Sequence, residues 1–549
     1  MNGSEVRLLI EKAYRWHFSE DQGIRFWSTG SENARNELLR FFHGAEKPTI
    51  EEVSRFLGKL DGPFGFVVDL HDRVFAGTDK IRSYPVFYAF QGEKFGVSNS
   101  ARAIRDSFRF LDFDPLSVLE FQMAGYVSGA ETLLEGLRQL QAAEVLLWEK
   151  GESRLRRERY FLFYSSSEKV ASVSRGIEQL ETLTQEVFRK AVERLNGRPA
   201  MIPLSGGLDS RLVACMLKQL KYDNVLCYSY GLEGNWESRA SREIAERLEY
   251  RWVFVPYDRK RYRSMYGDPD TAAYFRFGDG LSALPFIQDR LCLLEMIEKG
   301  LVPSDAVFIN GNSGDFSTGG HIPAVVMDGE GGRWERLFQG IVNKHYSLWE
   351  SRKTRENLSR ISAKVRTTIQ ELCGRDPDAG PPESLAPLYE VWEWQERQSK
   401  YVVNGQRVYD YLGYSWLLPH WDDLYLEFWS QVSPELKFGQ KLYKAYLKAK
   451  DFCGLFRTYE PERYVSPKSV RPLRTLARLA VAPFGKSMWH RVDKSVFAFF
   501  TENLQTYSPF TYLEVLSKGG GFRHAISLRA EDYLARLQKE NAEARARRG

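Results

Sequence analysis

Residues 203–211 read PLSGGLDSR, and this run has the residue types needed to hold a polyphosphate. Two adjacent glycines, Gly206 and Gly207, let a backbone turn tightly and approach an anion with no Cβ in the way. The free N–H groups of such a turn, and of a helix opening after it, point at negative charge. Ser205 and Ser210 add hydroxyl donors. Asp209 would repel a bare polyphosphate, so its place in the run predicts Mg²⁺ held between a carboxylate and phosphate oxygens. No Lys stands in the turn, which separates it from the G-x-x-x-x-G-K-[ST] loop. The competing reading is a plain strand-to-helix turn whose Asp complements the helix dipole.

A second segment, 308–321, reads FINGNSGDFSTGGH. Again an apolar run ends in glycines, with Asp315 in the middle of the turn. Alone it could be a surface loop. Beside the first segment it predicts a crevice where two strand ends converge and Asp209 and Asp315 share one Mg²⁺ from opposite sides.

Both turns need strands behind them. Apolar runs at 200–204, 225–230, 252–256 and 306–310 alternate with helical patterns at 173–195, 210–220 and 238–248. That alternation predicts a parallel, helix-covered sheet. Residues 1–165 read differently, as short strands at 64–69, 74–76, 86–90, 94–98 and 145–149, with a helix at 114–124 capped by Asp114 and opened by Pro115. This part is a strand-rich α+β domain. From 387 to 447 the pattern is helical, and 529–549 reads as a charged, Ala-rich, solvated terminal helix.

At 549 residues the chain exceeds one ordinary domain, and 43% hydrophobic against 27% charged residues is globular material. A net charge of +5 over this length gives no reason to expect nucleic-acid binding. Five widely spaced cysteines, from Cys215 to Cys453, argue against a disulfide framework or zinc site and suit a reducing compartment. Charges at Glu5, Arg7, Glu11 and Lys12 break the first apolar stretch, so neither a leader nor a membrane span is expected. The expected location is the cytoplasm. The histidines are scattered and none shows metal-ligand spacing.

The run SGGLDS is similar to the S-G-G-x-D-S signature of the ATP pyrophosphatases. With 62–69 (GPFGFVVD), 79–88 (DKIRSYPVFY), 125–140 (GYVSGAETLLEGLRQL), 229–248 and 418–447, it makes the chain resemble the asparagine synthetase family. The resemblance implies an Ntn-hydrolase-like, glutaminase-like α+β domain over 1–165. It implies an ATP pyrophosphatase domain of the adenine nucleotide alpha hydrolase type, with a helical C-terminal part, over 166–525, and a charged tail over 526–549. By the same resemblance Pro203, Ser205, Gly206, Gly207, Asp209, Ser210, Tyr230, Asn310 and Gly311 would contact ATP, and Asp209 and Asp315 would hold Mg²⁺ and pyrophosphate. The implied reaction adenylates a carboxylate, releases pyrophosphate and transfers nitrogen to the acyl adenylate.

Departures from the family narrow that implication. Its glutaminases use a Cys after the initiator Met, whereas this chain reads Met1-Asn2-Gly3 and its first cysteine is Cys215. Asp61 matches an aspartate of the glutamine site but is no nucleophile. Glutamine hydrolysis is therefore not expected, and nitrogen would come from ammonia in solution, from a partner, or from an amine on a substrate. Asn312 and Phe316 stand where the family commonly has acids. Aspartate, a sugar acid of a surface polysaccharide, or a small acid closed on itself as in β-lactam synthetases all stay open as acceptors. A late catalytic lysine is implied. Lys468 is the first candidate and Lys444 the second, each equally readable as a surface lysine.

Two stretches carry a milder signal. Residues 277–288 (FGDGLSALPFIQ) could shape a substrate pocket or simply connect. Residues 468–494 interleave basic and apolar side chains in an amphipathic pattern that can lie on an anionic membrane surface, although packing on the domain core is the commoner outcome. A homodimer is a further expectation. The competing function is a non-catalytic nucleotide-binding scaffold.

Overall fold

The computed structural model describes residues 5–12, 15–152, 154–165, 170, 172–380, 385–457, 459, 470–501, 508–517 and 525–546. Its first part stacks two sheets. Strands β2 (His17–Asp21), β3 (Ile24–Gly30), β4 (Phe64–Asp69), β5 (Arg73–Thr78), β9 (Glu144–Glu149) and β10 (Arg154–Arg159) form a six-stranded antiparallel sheet in the order β10-β9-β5-β4-β3-β2. Strands β1 (Val6–Leu8), β6 (Phe87–Gln91), β7 (Lys94–Ser98) and β8 (Arg138–Gln139) form a second sheet in the order β1-β7-β6-β8.

Strand β4 shows why the layers stack. Phe64, Phe66 and Val68 point to one face, where helices Glu32–Gly44 and Ile50–Leu57 cover them, and Val67 points to the other, against the second sheet. Side chains on a strand alternate between faces, so a run apolar at every position must be covered on both. The helix Pro115–Ala124 starts as its cap residue requires, with the Asp114 carboxylate accepting from Ser117 N–H at 2.6 Å.

The second part is built on a five-stranded sheet, β11 (Ala200–Pro203), β12 (Val225–Gly231), β13 (Arg251–Pro256), β14 (Val307–Ile309) and β15 (Ser415–Leu417). Every pairing is parallel, and the order is β13-β12-β11-β14-β15. Chain order reverses between β11 and β14, which is where open parallel sheets leave a crevice beyond the strand ends. The molecule is thus a mixed α/β protein with one parallel sheet. The long helix Val173–Leu195 and helices Leu208–Gln219 and Trp236–Arg247 lie where the apolar periodicity puts them.

Two expectations fail here. The terminal helix Ala525–Ala546 is not solvated along its length. Leu528, Ala530, Tyr533, Leu534 and Leu537 are buried, Tyr533 OH donates to Asp279 at 2.9 Å, and Arg102 pairs with Glu540 at 2.7 Å. An apolar stripe hidden among charges gives this helix a face to bury. In the basic stretch after residue 470 the reverse holds: helix Arg471–Val481 has no buried residue, and Leu473, Leu476 and Leu479 are each more than 60% exposed. Its apolar side does not pack on the core.

Candidate functional site

Strand β11 ends at Pro203 and the chain turns through Leu204–Gly207 into the helix Leu208–Gln219. Ser205 and Ser210 tie the turn together. Their hydroxyls lie 3.0 Å apart, Ser205 N–H donates to Ser210 Oγ at 3.1 Å, and Gly207 N–H donates to Ser205 Oγ at 3.1 Å. No side chain caps the helix, whose N-cap is Gly207. Its first N–H groups are therefore available to an anion. Gly206 has a different role from that expected. A Cβ there would come within 2.6 Å of the Trp236 ring, and its carbonyl accepts from Arg211 at 2.8 Å, so it turns away from the opening and packs the loop on the next helix.

The second loop follows β14 and crosses the first at touching distance. A Cβ on Gly311 would fall 2.5 Å from Ser210 N, and one on Gly314 would fall 2.5 Å from Asp209 Cγ. Only glycine permits these approaches, because backbone or a short carboxylate, not a flexible side-chain end, blocks the space. Beside them Ser313 takes a left-handed φ of 69°, held by its hydroxyl donating to Gln398 Oε1 at 2.7 Å.

Asp209 is brought against Asp315 by this crossing. Burial, and then the charge of Asp315, push the Asp209 carboxyl up to about 7. Asp209 Oδ1 is buried with no hydrogen-bond partner among the described residues. His420 lies at the Asp209 backbone carbonyl, and burial pushes its imidazole down to about 4, so it brings no charge at neutral pH. Asp315 is more exposed. Burial works to raise it, but His321 outweighs that and holds it below the usual carboxylate range.

His321 is the residue that spacing did not reveal. Its Nε2 lies 2.8 Å from Asp315 Oδ2, and its Nδ1 bonds Glu393 Oε1. Burial opposes its charge, but Glu393 and Asp315 win and raise it to about 9, so it is an imidazolium at neutral pH. Lys344 donates to the His321 carbonyl at 3.0 Å, and burial lowers its ammonium to about 8. Glu393 ends the helix Leu385–Glu393. The chain then widens into a π-helical stretch, Trp394–Val402, which brings Arg397, Gln398 and Tyr401 to the opening. Such widened turns often accompany functional sites.

Together these elements line one cavity of about 530 Å³. Pro203, Ser205, Gly207, Asp209, Ser210 and Tyr230 line it from the first loop and β12, and Asn310, Gly311 and Asp315 from the second loop. Phe286 and Gln288 also line it, so the glycine-rich stretch 277–288 does shape the pocket. Next to them Asp289 is buried, accepts from Tyr409 OH at 2.8 Å through Oδ2, and leaves Oδ1 unbonded among the described residues; burial pushes it up to about 6. Arg529, from the start of the terminal helix, closes another side. Phe316 is buried and meets Phe163 and Trp421 at ring distances of 5.3 and 5.7 Å, a wall rather than a ligand. Of the two candidate lysines, Lys468 lies outside the described residues. Lys444 is exposed, donates to the Gly439 carbonyl at 2.8 Å, and does not line the cavity.

The donor set suits a hard divalent cation in part. Two carboxylates line the same cavity and one oxygen is orphaned, but no group of three or more His, Cys, Asp or Glu side chains able to hold a metal occurs among the described residues. Mg²⁺ commonly takes one or two protein carboxylates and completes its shell with phosphate oxygens and water, so these residues fit that ion with a polyphosphate present.

Comparison with known proteins matches part of this chain. Residues 183–266, which include the first loop and strands β11 to β13, match the family described as asparagine synthase. A probable glutamine-hydrolysing asparagine synthetase of Acanthamoeba polyphaga mimivirus is 25% identical over 201 residues, 35% of this chain and 34% of the relative. The match thus spans about a third of that relative's length. Both matches place this part of the chain among sequences similar to asparagine synthetases. Among solved structures, the glutamine phosphoribosylpyrophosphate amidotransferase of B. subtilis, complexed with ADP and GMP, aligns over 56% of this chain and 59% of its own, at 12% identity and a TM-score of 0.17, an overlap too low to carry an argument.

Proposed function

We propose that this chain is an ATP-dependent, amide-forming carbon–nitrogen ligase of the asparagine synthetase type. The observation that carries the reading is the crossing of the two glycine loops, which sets Asp209 and its orphaned oxygen against Asp315 beside an uncapped helix start. ATP would lie with its phosphates over Ser205, Gly207 and Ser210, near Tyr230. Asp209 and Asp315 would hold Mg²⁺, which would offset charge on the phosphates.

In the reaction a carboxylate oxygen of the acceptor attacks the α-phosphorus. The bond to the β-phosphate oxygen breaks and pyrophosphate leaves with the electron pair. An amine nitrogen then attacks the acyl carbon, AMP departs and the nitrogen loses a proton. The work of the chain's own groups is positional and electrostatic. Helix N–H groups hold phosphate oxygens, Asp315 is kept ionised by the His321 imidazolium, and the cavity wall excludes water. Asp289, Arg397 and Arg529 line the space left for an acceptor, which suits an acid carrying further charged groups.

Residues 1–165 are in this reading a degenerate glutaminase-like domain of Ntn type, packed on the ligase part at 166–525. No cysteine precedes Cys215, and Asp61 is committed to Lys190 and Arg194 at 2.9 and 3.3 Å. In this reading the domain does not hydrolyse glutamine, and ammonia or an amine supplies the nitrogen. No described helix is long and apolar enough to cross a membrane, and a cytoplasmic site of action is part of this proposal.

The test is pyrophosphate release from ATP and Mg²⁺ across a panel of acids, among them aspartate, hexuronic acids and β-amino acids, each with ammonium. Release that depends on one acid supports the ligase. Nucleotide binding with no release for any acid would replace it with a non-catalytic nucleotide-binding protein.

A further inference from the structure

Six basic residues, Arg471, Arg474, Arg478, Lys486, Arg491 and Lys494, and one acid, Asp493, occupy 471–494. The surplus of that short stretch equals the net charge of the whole chain, +5. The same stretch holds much of the exposed apolar surface. Leu473, Leu476, Leu479 and Phe484 are 62–71% exposed, and Met488 is 38% exposed. Exposed apolar groups gathered on one element, rather than scattered singly, mark an interaction surface.

The arrangement is ordered by helix geometry. At 100° per residue, Leu473, Leu476, Ala480 and Phe484 share one side of Arg471–Val481 and its continuation, while Arg471, Arg474 and Arg478 share the opposite side. The helix Gly485–Val492 folds back beside it, and the pair is locked by Arg474, which donates to both oxygens of Asp493 at 2.7 Å. The sole acid of the stretch is thus spent within the hairpin. Further along, Phe499 is buried under Arg259, and Tyr512 OH donates to the Val496 carbonyl at 3.1 Å. That anchor adjoins Ser508 and Pro509, which line the cavity.

We propose that the hairpin 471–492 is a peripheral membrane-docking element that binds a bilayer rich in anionic lipid. A short helix with leucine and phenylalanine on one side and arginine on the other lies in the plane of the interface, apolar side down among acyl chains and basic groups among headgroups. Charge decides between occupants. An exposed helix whose own stretch carries a basic surplus complements a continuous negative surface. A second copy of the chain would place the same basic surplus against itself. The inference does not depend on the reaction assigned to the cavity, since its residues lie outside that site.

The test is co-sedimentation of the full chain with vesicles of phosphatidylcholine alone and of phosphatidylcholine mixed with phosphatidylglycerol. Binding to the mixed vesicles, weakened by salt, is expected. Leu473→Glu with Leu476→Glu should reduce it by about tenfold or more, because burying those side chains supplies the apolar term. Arg478→Ser with Lys486→Ser should weaken the preference for phosphatidylglycerol. Pyrophosphate release without vesicles should be unchanged in both variants. Equal binding by wild type and variants, or none to mixed vesicles at low salt, would overturn the proposal. So would a wild-type dimer in sedimentation velocity that the leucine variant turns into a monomer, since a second copy would then cover the face.

Discussion

Two of the aspartate clusters among the described residues are handled in opposite ways. Asp61, Asp422 and Asp423 meet three cations where the first part packs on the second: Lys80 to Asp423 at 3.0 Å, Lys190 to Asp61 and Asp422 at 2.9 and 3.1 Å, and Arg194 to Asp61 at 3.3 Å. Each carboxylate there has a cation at hand, Asp423 also tending to keep its proton, and the cluster acts as glue between the parts. At the cavity Asp209 has no ion pair among the described residues and faces another carboxylate, while His321 is divided between Asp315 and Glu393. A protein rarely retains an uncompensated half-buried carboxylate unless something outside the chain supplies the counter-charge. The contrast separates aspartates that hold the fold from those that wait for a ligand.

The strongest way to break the contrast is to remove Asp209. Asp209→Ala should lower pyrophosphate release by about a thousandfold or more, while the melting temperature stays level or rises, because an unpaired charge is lost. A large drop in melting temperature would make Asp209 structural. Next in size, Gly311→Ala forces a Cβ onto Ser210 N and should cost about 1–3 kcal/mol in denaturant unfolding, together with most of the activity. Lys190→Met attacks the other cluster. It removes a largely buried cation shared by Asp61 and Asp422 and leaves both to Arg194, so about 2 kcal/mol of stability should go, with turnover per folded molecule unchanged.

The same cluster also carries a pH dependence. Burial raises Asp423 from 3.8 to about 7, against the opposing pull of Lys80. Between those values the folded chain keeps a proton that the unfolded chain has released. Its contribution to stability is therefore complete below about pH 4 and lost as pH rises through about 7. Asp423→Asn should flatten that part of the unfolding midpoint against pH. An unaltered profile would show that the proton is held elsewhere.

What could be read from the chain was local. The turn at 203–211 and the turn at 308–321 each carry glycine, serine and aspartate within a dozen residues, and strands β11 and β14 precede them as short apolar runs, so loops, strands and both carboxylates were legible together. The crossing itself follows from Gly311 and Gly314, which the chain places beside Asp315. His321 lay in plain view six residues after Asp315, but its partner Glu393 is 72 residues further on and no spacing links them. Arg397 and Gln398 reach the cavity through a π-helical widening that no apolar period announces. Strand β15 is three residues long inside an aromatic-rich stretch, and β2 and β3 pair through a two-residue turn whose flanking residues are half exposed, so neither has a clear alternation. The exposed hairpin was misjudged for a related reason: amphipathicity tells which side is apolar, not what covers it.

The account rests on Asp209 taking its counter-charge from a metal–nucleotide. ATP affinity measured by titration calorimetry with and without Mg²⁺, in wild type and in Asp209→Asn, addresses that directly. Mg²⁺ should tighten ATP binding by about tenfold or more in wild type and by little in the variant. The same Mg²⁺ enhancement in both proteins would contradict it.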